Sequence, residues 1–310
     1  MTQAEDRIDP AWLDPASGVT FWVDMAAPTA DEGRLLLDLF HFHPLSVEDA
    51  LHELPFPKAE SYEGYLYLVL HGIDFKAAEH ALATRDIDFF VGPHYLVTVH
   101  DGKSRSVAHV RGLCELHGHG LSEGPVGVLY RIVDGVVDNY QPEMQALEDA
   151  IGEVEELAFT GHEEMVRRVL RVKRDLTLMR RVLVPQRDAI GRLARREFRA
   201  ISDEMAYRFR DVHDHVVRFT EEVILLQDRV TGVLEVNLAT ISNRLNQVMK
   251  LLTVMSTIFL PLTVLTGMWG MNIALPVFPG GEAAQFWWVG GIMAAAVGTM
   301  LAIFRWNDWV

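Results

Sequence analysis

Cysteine is almost missing from this chain: Cys114 is the single thiol in 310 residues. No intrachain disulfide can form, and an oxidising compartment is not implied. Basic charge is also scarce, with 28 Lys and Arg against 43 Asp and Glu and a net charge of −15. Such a surface argues against nucleic acid and anionic lipid headgroups as partners; it attracts cations and, at the least, keeps the protein soluble. The opening residues Met-Thr-Gln-Ala-Glu-Asp-Arg lack the basic and apolar regions of a secretory signal. There is no phosphate-binding loop, no Gly-x-Gly-x-x-Gly after a strand and no repeat of fixed period. No nucleophile–base pattern or catalytic metal motif stands out, so the chain does not read as an enzyme.

Charge of either sign then disappears near the end. From Leu251 to Phe304 the only charged side chain is Glu282. Within that stretch Leu251 to Met271 and Phe286 to Phe304 are apolar runs, each close to the roughly 20 residues that cross about 30 Å of hydrocarbon as a helix. The segment between them, Asn272 to Gln285, holds two prolines and two glycines and is too short to be a domain. The pattern predicts a membrane hairpin after a large soluble body. Arg244, Lys250 and Arg305 flank the spans while the linker has no Lys or Arg, which places both termini in the cytoplasm and Asn272 outside the cell membrane.

Upstream, the first hundred residues read as mixed α/β. Strand-like runs lie at Val19 to Met25, Tyr65 to His71, Ile87 to Val91 and Tyr95 to His100, the last two joined by Gly92-Pro93-His94 as a hairpin. Thr29-Ala-Asp-Glu32 is a capping-box pattern that opens a helix through Phe40. From about Gly124 the periodicity is helical, over Val126 to Phe159 and again from Glu163 to about Arg199, with Pro142 and Pro185 as expected kinks or boundaries. Between Pro185 and Pro261 no proline occurs. A helix from about Asp203 to Gly267 would be near 100 Å long at about 1.5 Å per residue, a stalk that runs on into the first span. The expected organisation is therefore an α/β cytoplasmic domain (1–123), a helical hairpin (124–202), the stalk with its span (203–271), an external loop (272–285), a second span (286–304) and a cytoplasmic tail (305–310). His117-Gly-His119 offers two imidazoles to a metal, fewer than a site needs.

One face of the long helix has unusual chemistry. Steps of three and four residues pick out Asn246, Met249, Thr253, Ser256, Leu260, Thr263 and Gly267, with Leu252 alongside. Lipid-facing stripes are uniformly apolar, whereas polar groups in a span face other helices or water. Hydroxyls that hold helices together explain any one position; a pore lining explains the whole stripe better. One hairpin cannot enclose a pore, so several copies must surround an axis. Rings of Met249, Leu252 and Leu260 would be constrictions that gate by dewetting. Rings of Asn246, Thr263 and Asn272 would offer neutral oxygens, suited to a Mg2+ ion that gives up its water reluctantly.

Three segments carry a family likeness: Asn246-Gln-Val-Met-Lys250, Ile258-Phe-Leu-Pro-Leu-Thr263 and Gly267-Met-Trp-Gly-Met-Asn272. The sequence resembles the CorA family of divalent-metal channels, whose signature is Gly-Met-Asn after the first of two spans. Further matching stretches are His43-Pro-Leu-Ser-Val-Glu-Asp49, Tyr65-Leu-Tyr-Leu-Val-Leu70, Gly92 to His100 and Phe209-Arg-Asp-Val-His-Asp-His215, so the likeness covers nearly the whole chain. It implies an α+β cytoplasmic domain, a long stalk, a two-helix transmembrane hairpin and a homopentameric funnel that admits Mg2+, often with Co2+ or Ni2+. It further implies a filter at Gly270, Met271 and Asn272, and a pore lined below it by Asn246, Met249, Leu252, Ser256, Leu260 and Thr263. Regulatory Mg2+ between neighbouring cytoplasmic domains would be held by Asp49, with Glu48 beside it, and Asp211 of the next copy. Asp134, Asp214 and His215 are further candidate ligands.

The sequence departs from the usual pattern in three places. Trp269 stands where the family often has Tyr, the linker lacks the acid that often follows its Met-Pro, and the tail Arg305-Trp-Asn-Asp-Trp-Val lacks a basic cluster. Two other readings compete. A ZntB-like zinc transporter coupled to protons shares the architecture, and Pro279-Gly-Gly leans that way, while the intact Gly270-Met271-Asn272 leans towards Mg2+. A membrane-anchored coiled-coil scaffold predicts a strictly apolar seam, which the Ser/Thr/Asn stripe opposes.

Overall fold

A computed structural model of the chain describes residues 8–52, 56–76, 81–117, 122–158, 163–271 and 279–307. The chain divides into two compact units, Met1–Leu234 and Glu235–Val310.

The first unit is built on a five-stranded sheet of order β1-β5-β4-β3-β2. Its strands are β1 (Phe21–Ala26), β2 (Lys58–Tyr62), β3 (Tyr65–Lys76), β4 (Ala81–Val91) and β5 (Tyr95–His100). β1 and β5 pair in parallel, with Phe21 opposite Tyr95; the other pairs are antiparallel. The β4–β5 hairpin turns at Gly92, whose N–H donates to the Tyr95 carbonyl at 2.9 Å. A Cβ at Gly92 would lie 2.2 Å from the Tyr95 ring, so the side-chain-free residue there lets the ring fold back over the turn.

Alternation along the strands divides the apolar residues between two faces. Phe21, Tyr65, Tyr67, Val69, Phe90, Tyr95, Val97 and Val99 form one core with Leu36, Phe42 and Val47. The last three come from α1 (Ala30–Asp38), α2 (Pro44–Leu51) and the segment between them. The expected capping box of α1 is present: Glu32 N–H donates to Thr29 Oγ1, while Thr29 N–H donates to the Glu32 carboxylate at 2.8 Å. Phe42 stacks on Phe90 with centroids 4.3 Å apart.

On the other face Leu66, Leu68, Leu70, Ile87, Phe89 and Leu96 belong to one continuous core with residues of five helices. These are α3 (Arg105–His117), α4 (Gly124–Asp138), α5 (Tyr140–Ala158), α6 (Glu163–Ala194) and α7 (Asp203–Trp269). Tyr140 is fully buried, and its hydroxyl donates to the His71 carbonyl at 2.6 Å, tying α5 to β3. Gln186 Oε1 accepts from the His71 N–H at 2.9 Å, tying α6 to the same strand. Pro142 falls in the first turn of α5, next to a boundary. Pro185, by contrast, lies inside α6. It denies a donor to the carbonyl of Arg181, an exposed residue that water can serve, so packing carries the helix through.

The second unit contains the end of α7 and α8 (Glu282–Trp306). Both helices are long and apolar enough to cross a membrane, and almost nothing of either apolar stretch is buried within the chain. That exposure separates them from core helices. Phe286, Trp287 and Trp288 mark one end of α8 and Trp306 the other, the positions where aromatic rings anchor a span at both interfaces.

Candidate functional site

The α7 stripe follows from 3.6 residues per turn: Asn246, Met249, Thr253, Ser256, Leu260 and Thr263 share one side of the helix. All of them are exposed in the single chain, Leu260 at 68% and Met249 and Leu252 at 59% each. Thr253 Oγ1 donates to the Met249 carbonyl and Thr263 Oγ1 to the Phe259 carbonyl, both at 2.8 Å. Each hydroxyl proton is thereby committed to the backbone, and the oxygen keeps lone pairs for a cation or its water.

The helix ends at Trp269, and Gly270 N–H still donates to the Thr266 carbonyl at 2.9 Å. A Cβ on Gly270 would lie 3.2 Å from that carbonyl oxygen, closer than ordinary contact, so glycine suits the exit. Met271 N–H donates to the Met268 carbonyl at 3.3 Å. Asn272 lies outside the described residues, as does His119.

In the first unit, α4 and the start of α7 bring together Asp134, Asp211 and His215. Burial raises the pKa of the Asp134 carboxyl, and the charge of Asp138 and, less strongly, that of Asp211 raise it further, against an opposing effect of His215. The same acids and burial raise the nearby Tyr130 hydroxyl. Tyr130 is fixed by Phe209, centroids 5.8 Å apart, and by the Arg208 guanidinium 5.7 Å from its ring centre. Arg208 reaches Glu123 at 3.1 Å, and that bond chiefly depresses the Glu123 carboxyl. Asp214 lies instead 3.6 Å from His213.

Asp49 and Glu48 lie elsewhere, on α2 at the opposite face of the sheet from α4 and α7. Glu48 is exposed. Asp49 Oδ2 accepts from Lys58 Nζ at 2.6 Å, and Lys58 also reaches Glu60 at 3.0 Å. One chain therefore does not bring Asp49 to Asp211. Among the described residues no group of three or more His, Cys, Asp or Glu is placed to hold a metal ion within a single chain. Sequence reasoning missed Asp138 and Lys58. The first was legible as a like charge one helical turn from Asp134; the second touches Asp49 only through the path of the chain into the edge strand.

A family profile described as CorA-like Mg2+ transporter protein matches residues 17–305. The chain is 33% identical to the Bacillus subtilis protein YfjQ, over 93% of this chain and 89% of that one. It is 31% identical to the cobalt/magnesium transport protein CorA of Thermotoga maritima, over 76% of this chain and 68% of the relative. The complete CorA magnesium transporter structure from Methanocaldococcus jannaschii matches with a TM-score of 0.80 at 22% identity, over 93% of this chain and 91% of that one. The ZntB cytoplasmic domain from Vibrio parahaemolyticus matches with a TM-score of 0.57 at 18% identity, over 72% of this chain and 87% of that domain. Both structural likenesses concern the fold, an α+β body with a long helix and, in the first case, a second apolar helix. By profile and by sequence, this chain belongs to the CorA-like Mg2+ transporter family.

Proposed function

We propose that five copies of the chain surround an axis, and that the bare stripe of α7 lines a pore admitting Mg2+ passively into the cell, with Co2+ or Ni2+ as further substrates. The observation that carries this reading is the stripe itself: amide, hydroxyls, thioether and leucines at helical spacing, exposed on a span and leading to Gly270-Met271-Asn272. Polar groups in a span face other helices or water rather than lipid; neighbouring copies and a water column supply that setting. Asn272 forms the outer ring, where amide oxygens meet a hydrated dication without stripping it. Met249, Leu252 and Leu260 form the apolar constrictions. The soluble body and both termini lie in the cytoplasm, in accord with Arg244, Lys250 and Arg305 at the inner ends of the spans.

Cytoplasmic Mg2+ closes this pore. Asp49 and Glu48 of one copy face Asp211 of the next, with Asp134, Asp214 and His215 nearby. The donor set fits the ion: Mg2+ takes hard oxygen ligands, and the Asp134 carboxyl, raised first by burial and then by Asp138 and Asp211, carries a repulsion that a dication would relieve. At high cytoplasmic Mg2+ bridged copies hold a symmetric closed state; at low Mg2+ the acids repel and the closed state loses population.

Flux into proteoliposomes tests the reading, with Mg2+, Co2+, Ni2+ and Zn2+ offered separately, with and without a proton gradient. Mg2+ entry without a gradient is expected, and Asn272→Ala should abolish it or its selectivity while oligomer size is kept. Zn2+ entry only with a proton gradient would favour the ZntB-like alternative.

A further inference from the structure

Lys58 opens the edge strand β2 and sits between two carboxylates, 2.6 Å from Asp49 Oδ2 and 3.0 Å from Glu60 Oε2. It is also 5.2 Å from the centre of the Tyr67 ring, over which its ammonium lies. Tyr62 donates a hydrogen bond to the same Glu60 oxygen at 3.2 Å, which fixes that acceptor. The side chains of Lys58 and Asp49 are each 29% exposed, so the pair is partly shielded from solvent and within reach of a diffusing ion.

We propose that Lys58 is a tethered competitor for the divalent cation at Asp49, setting the cytoplasmic Mg2+ concentration at which the sensor responds. The inference rests on the reading above that Asp49 is a sensor ligand. Asp49 cannot serve the ammonium and a dication equally, because two cations on one carboxylate repel each other at close range. As Asp49 turns to the ion, Lys58 swings to Glu60 and the Tyr67 face, where a carboxylate and a π surface already receive it. The second acceptor makes the exchange reversible.

The test uses the full-length protein, with its thermal-unfolding midpoint titrated against MgCl2 to give the half-saturating concentration. Lys58→Met keeps the apolar stem over Tyr67 and removes the charge; half-saturation should fall about three- to fivefold, the range of a part-exposed ion pair. Lys58→Arg keeps the charge and should leave half-saturation at or above the parent value. Glu60→Gln removes the second acceptor and should raise it, a check that stands even if Lys58→Met fails to fold. In an Asp49→Asn background, itself raised, Lys58→Met should have no further effect. If Asp49→Asn raises half-saturation while Lys58→Met leaves it unchanged or raises it, the competitor role is overturned and the sensor reading stands. If Asp49→Asn changes nothing, the sensor assignment of Asp49 fails and the competitor role fails with it.

Discussion

Asp134 is a carboxylate that the fold makes uncomfortable. Burial and the neighbouring charges of Asp138 and Asp211 raise its pKa, so its ionisation at neutral pH works against the folded state. Asp134→Asn should therefore stabilise the metal-free protein by on the order of 1 kcal/mol, about 2–4 °C in midpoint, and shrink the further gain on adding Mg2+. Thermal melts with and without Mg2+ check both signs. Asp24 is the opposite case. Burial acts to raise it, but hydrogen bonds from His100 (2.9 Å) and Thr98 (2.8 Å), with the charges of His100 and Arg111, bring it below the ordinary value. A depressed carboxylate contributes stability that is complete above about pH 4 and fades as pH falls through the native value. Asp24→Asn should cost about 1.5–3 kcal/mol at pH 7, and the cost should shrink as pH falls through the native value; denaturant unfolding over an acid pH series decides.

At the scale of elements, α7 was the most legible part of the sequence. A proline-free charged run leading into apolar residues predicted Asp203 to Gly267, and the helix runs Asp203–Trp269. The β4–β5 hairpin and the α1 capping box were legible for a similar reason, since turn and cap chemistry is local. The strand β2, Lys-Ala-Glu-Ser-Tyr, escaped because an edge strand facing water lacks the apolar alternation that betrays an inner one. The eight-residue α2 is too short to show a period. Of the site, the stripe could be read from spacing, and the candidate acids came from the family resemblance; the Lys58–Asp49 pair could be read from neither, because residues nine apart meet only when β2 has joined the sheet.

Two tests belong to α7, the proposed pore helix. Leu252→Asn would hydrate an apolar ring, so flux should persist at internal Mg2+ concentrations that silence the parent protein; loaded proteoliposomes give the comparison. Gly270→Val would press a branched side chain on the Thr266 carbonyl, where even a Cβ has only 3.2 Å. It should reduce Mg2+ uptake at least tenfold, on the order of 1.4 kcal/mol, with oligomer size unchanged by light scattering.

In the proposed channel, copies of one chain meet around an axis, so that the stripe residues of α7 face water while others face lipid or protein. Cys114 is the only thiol, and Cys114→Ser provides a background for placing single cysteines along α7. The most direct measurement is Mg2+ flux into proteoliposomes before and after a charged, membrane-impermeant thiol reagent, with Ser256→Cys compared with Leu262→Cys on another side of the helix. Block at Ser256→Cys with flux retained at Leu262→Cys is the predicted result. Equal block at both positions, or flux untouched at Ser256→Cys after its modification is verified by mass, would contradict a pore lined by this stripe.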